Sequence, residues 1–188
     1  MLKDLKESLN NCTRCPLANG RNNIVFSDGS EDARIMLIGE APGADEDKMG
    51  TPFVGRAGKL LNEFLEKAGI NRPKDIYIAN TVKCRPPENR KPTREEKTAC
   101  EGNLQKQIDA VKPKVIILCG ATAMESFIED KKLTITHARG QVFEYKNGIK
   151  LVPVFHPSYL LRQHSVEVNS PRDLMLKDLK MIKELAKA

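Results

Sequence analysis

Arg34-Ile35-Met36-Leu37-Ile38-Gly39-Glu40 is the stretch that decides the fold. An apolar run with no polar residue alternating into it, stopped by a glycine, describes a strand buried on both faces. Asp75-Ile76-Tyr77-Ile78-Ala79-Asn80, Lys114 to Cys119 and Leu151 to Phe155 share that character, and Gln141 to Tyr145 reads as a weaker strand. Helical patterns separate them. Leu60, Leu61, Phe64 and Leu65 share one face between Gly58 and Ala68, and Gly69 is placed to end that helix. Thr93-Arg94-Glu95-Glu96 is a capping-box signature, so a helix should run from there to about Val111. Shorter helices are expected over residues 2–10 and 121–129, and a long amphipathic one from about Ser170 onward. Strands alternating with helices imply an α/β fold. The expectation is a three-layer α/β/α sandwich with a central, mainly parallel four-stranded sheet, forming one domain over residues 1–188.

Ligands in such folds bind beyond the carboxyl ends of the strands. Those ends here carry Gly39-Glu40, Asn80, Gly120 and His156. After the first strand, Gly39-Glu40-Ala41-Pro42-Gly43-Ala44-Asp45-Glu46-Asp47 packs four carboxylates into a Gly/Pro turn. Seen alone, such a run is a solvated acidic loop; beside a strand end, it can aim carboxylates and N–H groups at a ligand. Asp45 and Asp47 read as solvated turn residues. His156 ends an apolar run and is followed by Pro157, which restrains it. The Asn80 amide can donate and accept at once, which suits reading a base edge. Phe53, in Thr51-Pro52-Phe53-Val54-Gly55-Arg56-Ala57-Gly58, either stacks on a planar ligand or plugs the core. That glycine-rich stretch is no phosphate loop, because no Gly-Lys-Ser/Thr follows.

The net charge of +6 suits a polyanionic partner without proving one. With no tryptophan and 5% aromatic residues, a broad base-stacking platform is not expected. No stretch approaches the ~20 apolar residues of a membrane span, and the N-terminus has no signal-peptide core. A soluble, intracellular, cytoplasmic protein is therefore expected. In a reducing compartment its cysteines favour metal over disulfides. Cys12 and Cys15 form a C-x-x-C, and Cys84 and Cys100 lie in polar, irregular sequence. Cys119 instead ends an apolar run and reads as a core thiol. The spacing of the other four fits zinc or an iron–sulfur cluster.

Taken together, these motifs resemble those of the family 4 uracil-DNA glycosylases, the iron–sulfur branch of bacteria and archaea. The resemblance rests on the cysteine order, Gly39-Glu40-Ala41-Pro42-Gly43, Thr51 to Gly58, Asn80-Thr81-Val82-Lys83-Cys84-Arg85-Pro86-Pro87, Arg139-Gly140 and His156 to Arg162. It implies a [4Fe–4S] cluster on Cys12, Cys15, Cys84 and Cys100. It also implies a monofunctional repair enzyme that flips uracil out of single- or double-stranded DNA and hydrolyses its N-glycosidic bond. Glu40, Glu46 and His156 are then the catalytic candidates, and Glu40, Ala41, Phe53, Asn80 and His156 the substrate-binding ones. Arg85, Arg139 and Arg162 would grip phosphates, with Leu160, Leu161 or Arg162 as the duplex wedge. No lysine stands out as a lyase nucleophile. The loop Glu88-Asn89-Arg90-Lys91-Pro92 has no histidine on which a related branch traps the sugar. A monomer is expected, with a sliding clamp as a candidate partner. The rival readings are a non-catalytic, metal-clipped DNA-binding module and an iron–sulfur electron carrier.

Overall fold

The computed structural model describes residues 1–187; Ala188, the last residue of the expected domain, lies outside them. Four five-residue strands form the centre of the sheet: β2 (Ile35–Gly39), β3 (Ile76–Asn80), β4 (Val115–Cys119) and β6 (Lys150–Val154). They pair in parallel, β3 with β2, β2 with β4 and β4 with β6. Three of the four are buried at every position, which is why their sequences show no alternation.

The expected four-stranded sheet needs correcting: the sheet is mixed and six-stranded, in the order β1-β3-β2-β4-β6-β5. The two additions are antiparallel edge strands of two residues each, β1 (Asp28–Gly29) and β5 (Phe143–Glu144). Two residues carry no periodic signal, so β1 was invisible and β5 was overdrawn. Pairing with β5 stops at Leu151, before Pro153, which has no N–H to give.

Successive side chains of each strand enter opposite layers. Ile35, Leu37, Ile76, Ile78, Val115 and Ile117 pack with α3 (Arg56–Lys67) and α9 (Pro171–Lys187). Met36, Ile38, Tyr77, Ile116 and Leu118 pack with α1 (Leu2–Ser8), α5 (Arg94–Val111), α6 (Ala121–Glu125) and α7 (Ile135–Ala138). Three short helices complete the fold: α2 (Ala44–Met49), α4 (Arg72–Asp75) and α8 (Pro157–Leu160). The capping box forms as expected, with Thr93 Oγ1 accepting from the Glu96 N–H at 3.2 Å and Glu96 accepting from the Thr93 N–H at 2.8 Å. Among the described residues no helix is long and apolar enough to cross a membrane.

The chain runs from β2 outward to β3, then returns past β2 to β4 on its other side. The connections leaving β2 and β4 therefore part, and a crevice opens between their carboxyl ends.

Candidate active site and cysteine centre

The crevice is a cleft of about 170 Å³ lined by Glu40, Lys91, Gly120, Thr122, His156 and Ser158. Glu40 follows β2, Gly120 follows β4 and His156 follows β6, so three strand ends deliver its walls. Gly120 has φ +90°, and a Cβ there would lie 2.9 Å from the His156 Cβ. Only glycine gives both that backbone and that approach.

His156 caps α8. Its Nδ1 accepts from the Ser158 backbone N–H at 3.1 Å and lies 2.7 Å from the Ser158 hydroxyl. An accepting Nδ1 carries no proton, so the neutral ring holds its proton on Nε2. Burial draws the imidazole below its ordinary pKa, against an opposing pull from the Glu40 and Glu46 carboxylates. The site thus holds a neutral histidine with an Nε2–H donor to offer.

Beside this ring lies Phe53, centroid to centroid 5.9 Å away and tilted by 34°. Phe53 has φ +52°, an uncommon conformation for a bulky residue and one that neighbours must enforce. Arg72 does so from below, donating to the carbonyls of Phe53 at 2.9 Å and Pro52 at 2.6 Å, and to Asp28 at 2.9 Å. Glu46 does so from the side. Its Oε1 accepts from the N–H groups of Val54 and Gly55 at 3.0 and 2.9 Å, while Oε2 accepts from Gly43 at 3.2 Å. Glu46 is therefore engaged in holding two loops together. The Glu40 carboxylate makes no hydrogen bond or ion pair to another described residue.

Asn80 is the residue most telling of a ligand. It pairs with Gly39 across β3 and β2, it is 2% exposed, and its buried Oδ1 has no partner among the described residues. A Cβ on Gly39 would lie 2.4 Å from that Oδ1 and 2.7 Å from Phe53 Cζ. Gly39 is thus the floor on which the amide and the aromatic ring meet. An orphaned buried amide oxygen costs about 1–3 kcal/mol, a cost a bound donor would remove.

The phosphate candidates divide. Arg162 is exposed, while Arg85 is half-buried with Nε 2.7 Å from Asn89 Oδ1. Arg139 is ion-paired with buried Asp178, its Nε 2.7 Å from Oδ2, and so is committed to α9. Of the wedge candidates, Leu160 is 0% exposed and belongs to the core, leaving half-buried Leu161 and Arg162. Asp47 also corrects its expectation: it is fully buried and accepts from the N–H groups of Asn22 and Asn23. Sequence reading missed Lys91 as a cleft residue; its loop is fixed by Arg90, which grips buried Glu96 with both terminal nitrogens. It also missed Thr122, whose buried hydroxyl lacks a partner. No local sequence signal marks either.

Cys12, Cys15, Cys84 and Cys100 line one separate cavity. Arg14 Nε approaches Cys12 Sγ at 3.4 Å, Arg21 Nη1 approaches Cys84 Sγ at 3.5 Å, and Asn103 Nδ2 approaches Cys100 Sγ at 3.8 Å. Two cations and an amide donor around four sulfurs suit an anionic thiolate complex. Among the described residues no three donors converge on a single-ion site, although the four thiols share this cavity. Four thiols around one cavity are a donor set suited to zinc or to an iron–sulfur cluster. Cys119 stands apart, fully buried on β4, where burial pushes its thiol far up.

Residues 26–180 match the model of the uracil DNA glycosylase superfamily. The type-4 uracil-DNA glycosylase of Thermotoga maritima is 47% identical over 187 residues, covering 100% of this chain and 95% of that protein. The type-4 uracil-DNA glycosylase of Archaeoglobus fulgidus is 40% identical, covering 85% of this chain and 83% of its own length. A type-5 uracil-DNA glycosylase from Pyrobaculum aerophilum is 31% identical, with 84% and 82% covered. The cleft at the strand ends, the separate cysteine centre and these likenesses agree, and the chain belongs to the type-4 uracil-DNA glycosylases of the uracil DNA glycosylase superfamily.

Proposed function

We propose that this protein excises uracil from DNA: it flips the nucleotide into the cleft and hydrolyses the N-glycosidic bond, leaving an abasic site. The observation that carries the reading is the unpaired Asn80 Oδ1, held over Gly39 beside Phe53. An acceptor there asks for a donor on the ligand. Uracil offers N3–H, and the Asn80 amide can donate in return to O4. Cytosine presents the reverse pattern, with a bare N3 and an amino group, and is left unpaired. Phe53 supplies the face on which the base stacks.

As the glycosidic bond breaks, negative charge gathers on the departing uracil, largely at O2, while the sugar becomes oxocarbenium-like. The Nε2–H of neutral His156 is the donor for O2, and it stabilises the charge without giving up its proton. The Glu40 carboxylate lies in the same cleft and supports the cationic sugar or its attacking water. Glu46 acts by holding the Phe53 and Gly43 loops, and Ala41 leaves room where a larger side chain would crowd the ligand. Arg162, Arg85 and Lys91 are the phosphate grips, with Arg139 serving the fold through Asp178.

Cys12, Cys15, Cys84 and Cys100 hold a [4Fe–4S] cluster in this proposal. When bound, the cluster ties the N-terminal segment to the loop after β3 and to α5, and it supplies no step of base removal. We further propose one domain over residues 1–188, acting as a monomer on single- or double-stranded DNA inside the cell. A sliding clamp enters on resemblance alone.

The test is uracil release from single- and double-stranded oligonucleotides by cluster-loaded protein. Release that falls by orders of magnitude in His156→Ala, with melting unchanged, supports the assignment. DNA binding with no release by the wild type refutes it, and leaves a binding module.

A further inference from the structure

Among the described residues Lys83 is the one lysine that is fully enclosed, at 2% exposure. Its ammonium donates to the backbone carbonyl of Asn80 at 2.8 Å. The same side chain lines the cavity of the four cysteines. Among the described residues it makes no ion pair with any carboxylate, since every salt bridge is formed by other cations. Taking an ammonium out of water without an anion costs several kcal/mol. The anions at hand are the thiolates, Cys84 being its chain neighbour. Arg14 and Arg21 meet the sulfurs from the more open side. Lys83 meets the cavity from the interior.

At its other end the ammonium completes a strand terminus. The Thr81 N–H bonds to the Gly39 carbonyl at 2.9 Å, and Thr81 Oγ1 bonds to the Glu40 carbonyl at 2.6 Å. The Asn80 carbonyl is taken by Lys83 rather than by a neighbouring strand. The peptide that orients the base-reading amide is therefore held by a side chain that also lines the cysteine cavity. The Lys83 backbone is pinned as well, its carbonyl accepting from the Val25 N–H at 2.8 Å.

We propose that Lys83 is a positioning residue that couples the cysteine-held centre to base reading, serving as counter-ion to the anionic cluster and as anchor of the Asn80 peptide. The inference rests on the uracil-excising reading, and it gives the centre a role in the site without a part in the chemistry. Lys83→Met keeps length and apolar bulk while removing the charge. Loss of that charge loosens Asn80 within an assembled site, so turnover should fall more than substrate binding.

The experiment compares wild type, Lys83→Met and Lys83→Arg after cluster loading. It measures iron content, the rate of cluster loss to a chelator, and kcat and KM for uracil release. Lys83→Met is expected to retain its iron at rest, to lose it to the chelator at least fivefold faster, and to show kcat reduced at least tenfold with KM within threefold. Lys83→Arg, which keeps the charge, should recover part of both effects. Equal chelator rates and kcat within twofold of wild type overturn the proposal, as does a kcat loss with no change at the cluster. Absence of uracil release by the wild type instead defeats the functional reading, so the two failures are distinguishable. Should Lys83→Met fail to fold, lysine Nζ resonances of the wild type decide. A slowly exchanging ammonium signal shifted by the cluster supports the assignment, and its absence refutes it.

Discussion

Replacing Gly39 by alanine tests the architecture of the base site with a single methyl group. The residue ends β2 in ordinary extended backbone, so alanine meets no conformational penalty there. Its methyl would lie 2.4 Å from Asn80 Oδ1 and 2.7 and 2.8 Å from two Phe53 ring atoms, against 3.4–4 Å for ordinary contact. Both neighbours must retreat by about 1 Å. Phe53 is held by Arg72 and Glu46 and cannot retreat freely, so Asn80 and the ring are driven apart. A misplacement of about 1 Å at a reacting centre costs on the order of 10²-fold in rate. The fold should suffer less: overpacking of this kind costs about 1–3 kcal/mol, or roughly 2–12 °C of melting temperature for a chain this size. Gly102→Ala is the matched control. It lies within α5 with nothing within 4 Å of its would-be Cβ, and it should leave release unchanged while adding about 0.5–1 kcal/mol of stability. Single-turnover uracil release and thermal melting, read on both variants, give the answer. If Gly39→Ala keeps kcat/KM within threefold of wild type, the Asn80–Phe53 floor is not where the base lies.

Two other perturbations probe different parts of the molecule. Because burial lowers the His156 pKa, the folded protein binds fewer protons here than the unfolded chain does in the window below about pH 6.5. This group's contribution to stability is therefore fully lost only as pH falls through the folded pKa, and it rises with pH through that window. Release rates should pass through pH 6.5 without a break and fall only on the acid side of it. In His156→Gln that acid limb should vanish from the pH–rate profile, and an unaltered limb would assign it to another group. Alanine at Cys12, Cys15, Cys84 or Cys100 should abolish iron binding and the brown chromophore and lower the melting temperature. Cys119→Ala should keep the chromophore, although the small cavity it leaves in the core costs about 1 kcal/mol; loss of iron there would upset the sorting of the five thiols.

Why some of this could be read from sequence and some could not follows from the distance over which each feature is decided. The four central strands were legible because burial on both faces erases alternation, a property carried within five residues. Glu40, Asn80 and His156 were legible as strand-end residues for the same reason, since an α/β sheet places whatever follows its strands in the crevice. The fate of a charge is not local. Arg139 and Glu46 have the sequence character of ligand-seeking residues and Asp47 that of a solvated turn residue, and all three are spent inside the fold. Arg139 meets Asp178, 39 residues on; Asp47 meets Asn22 and Asn23; Glu46 meets the loop of Val54 and Gly55. Conversely, Lys83 lies in a polar-looking stretch beside a cysteine and proves to be wholly buried. No periodicity records such pairings, because they are settled only when distant elements meet. A residue's charge therefore says that it will find a partner, while only the fold says whether that partner is the protein itself or the DNA. That distinction separates Arg139 from Lys91: the first is neutralised within the protein, and the second, with no ion-pair partner among the described residues, is left facing the cleft.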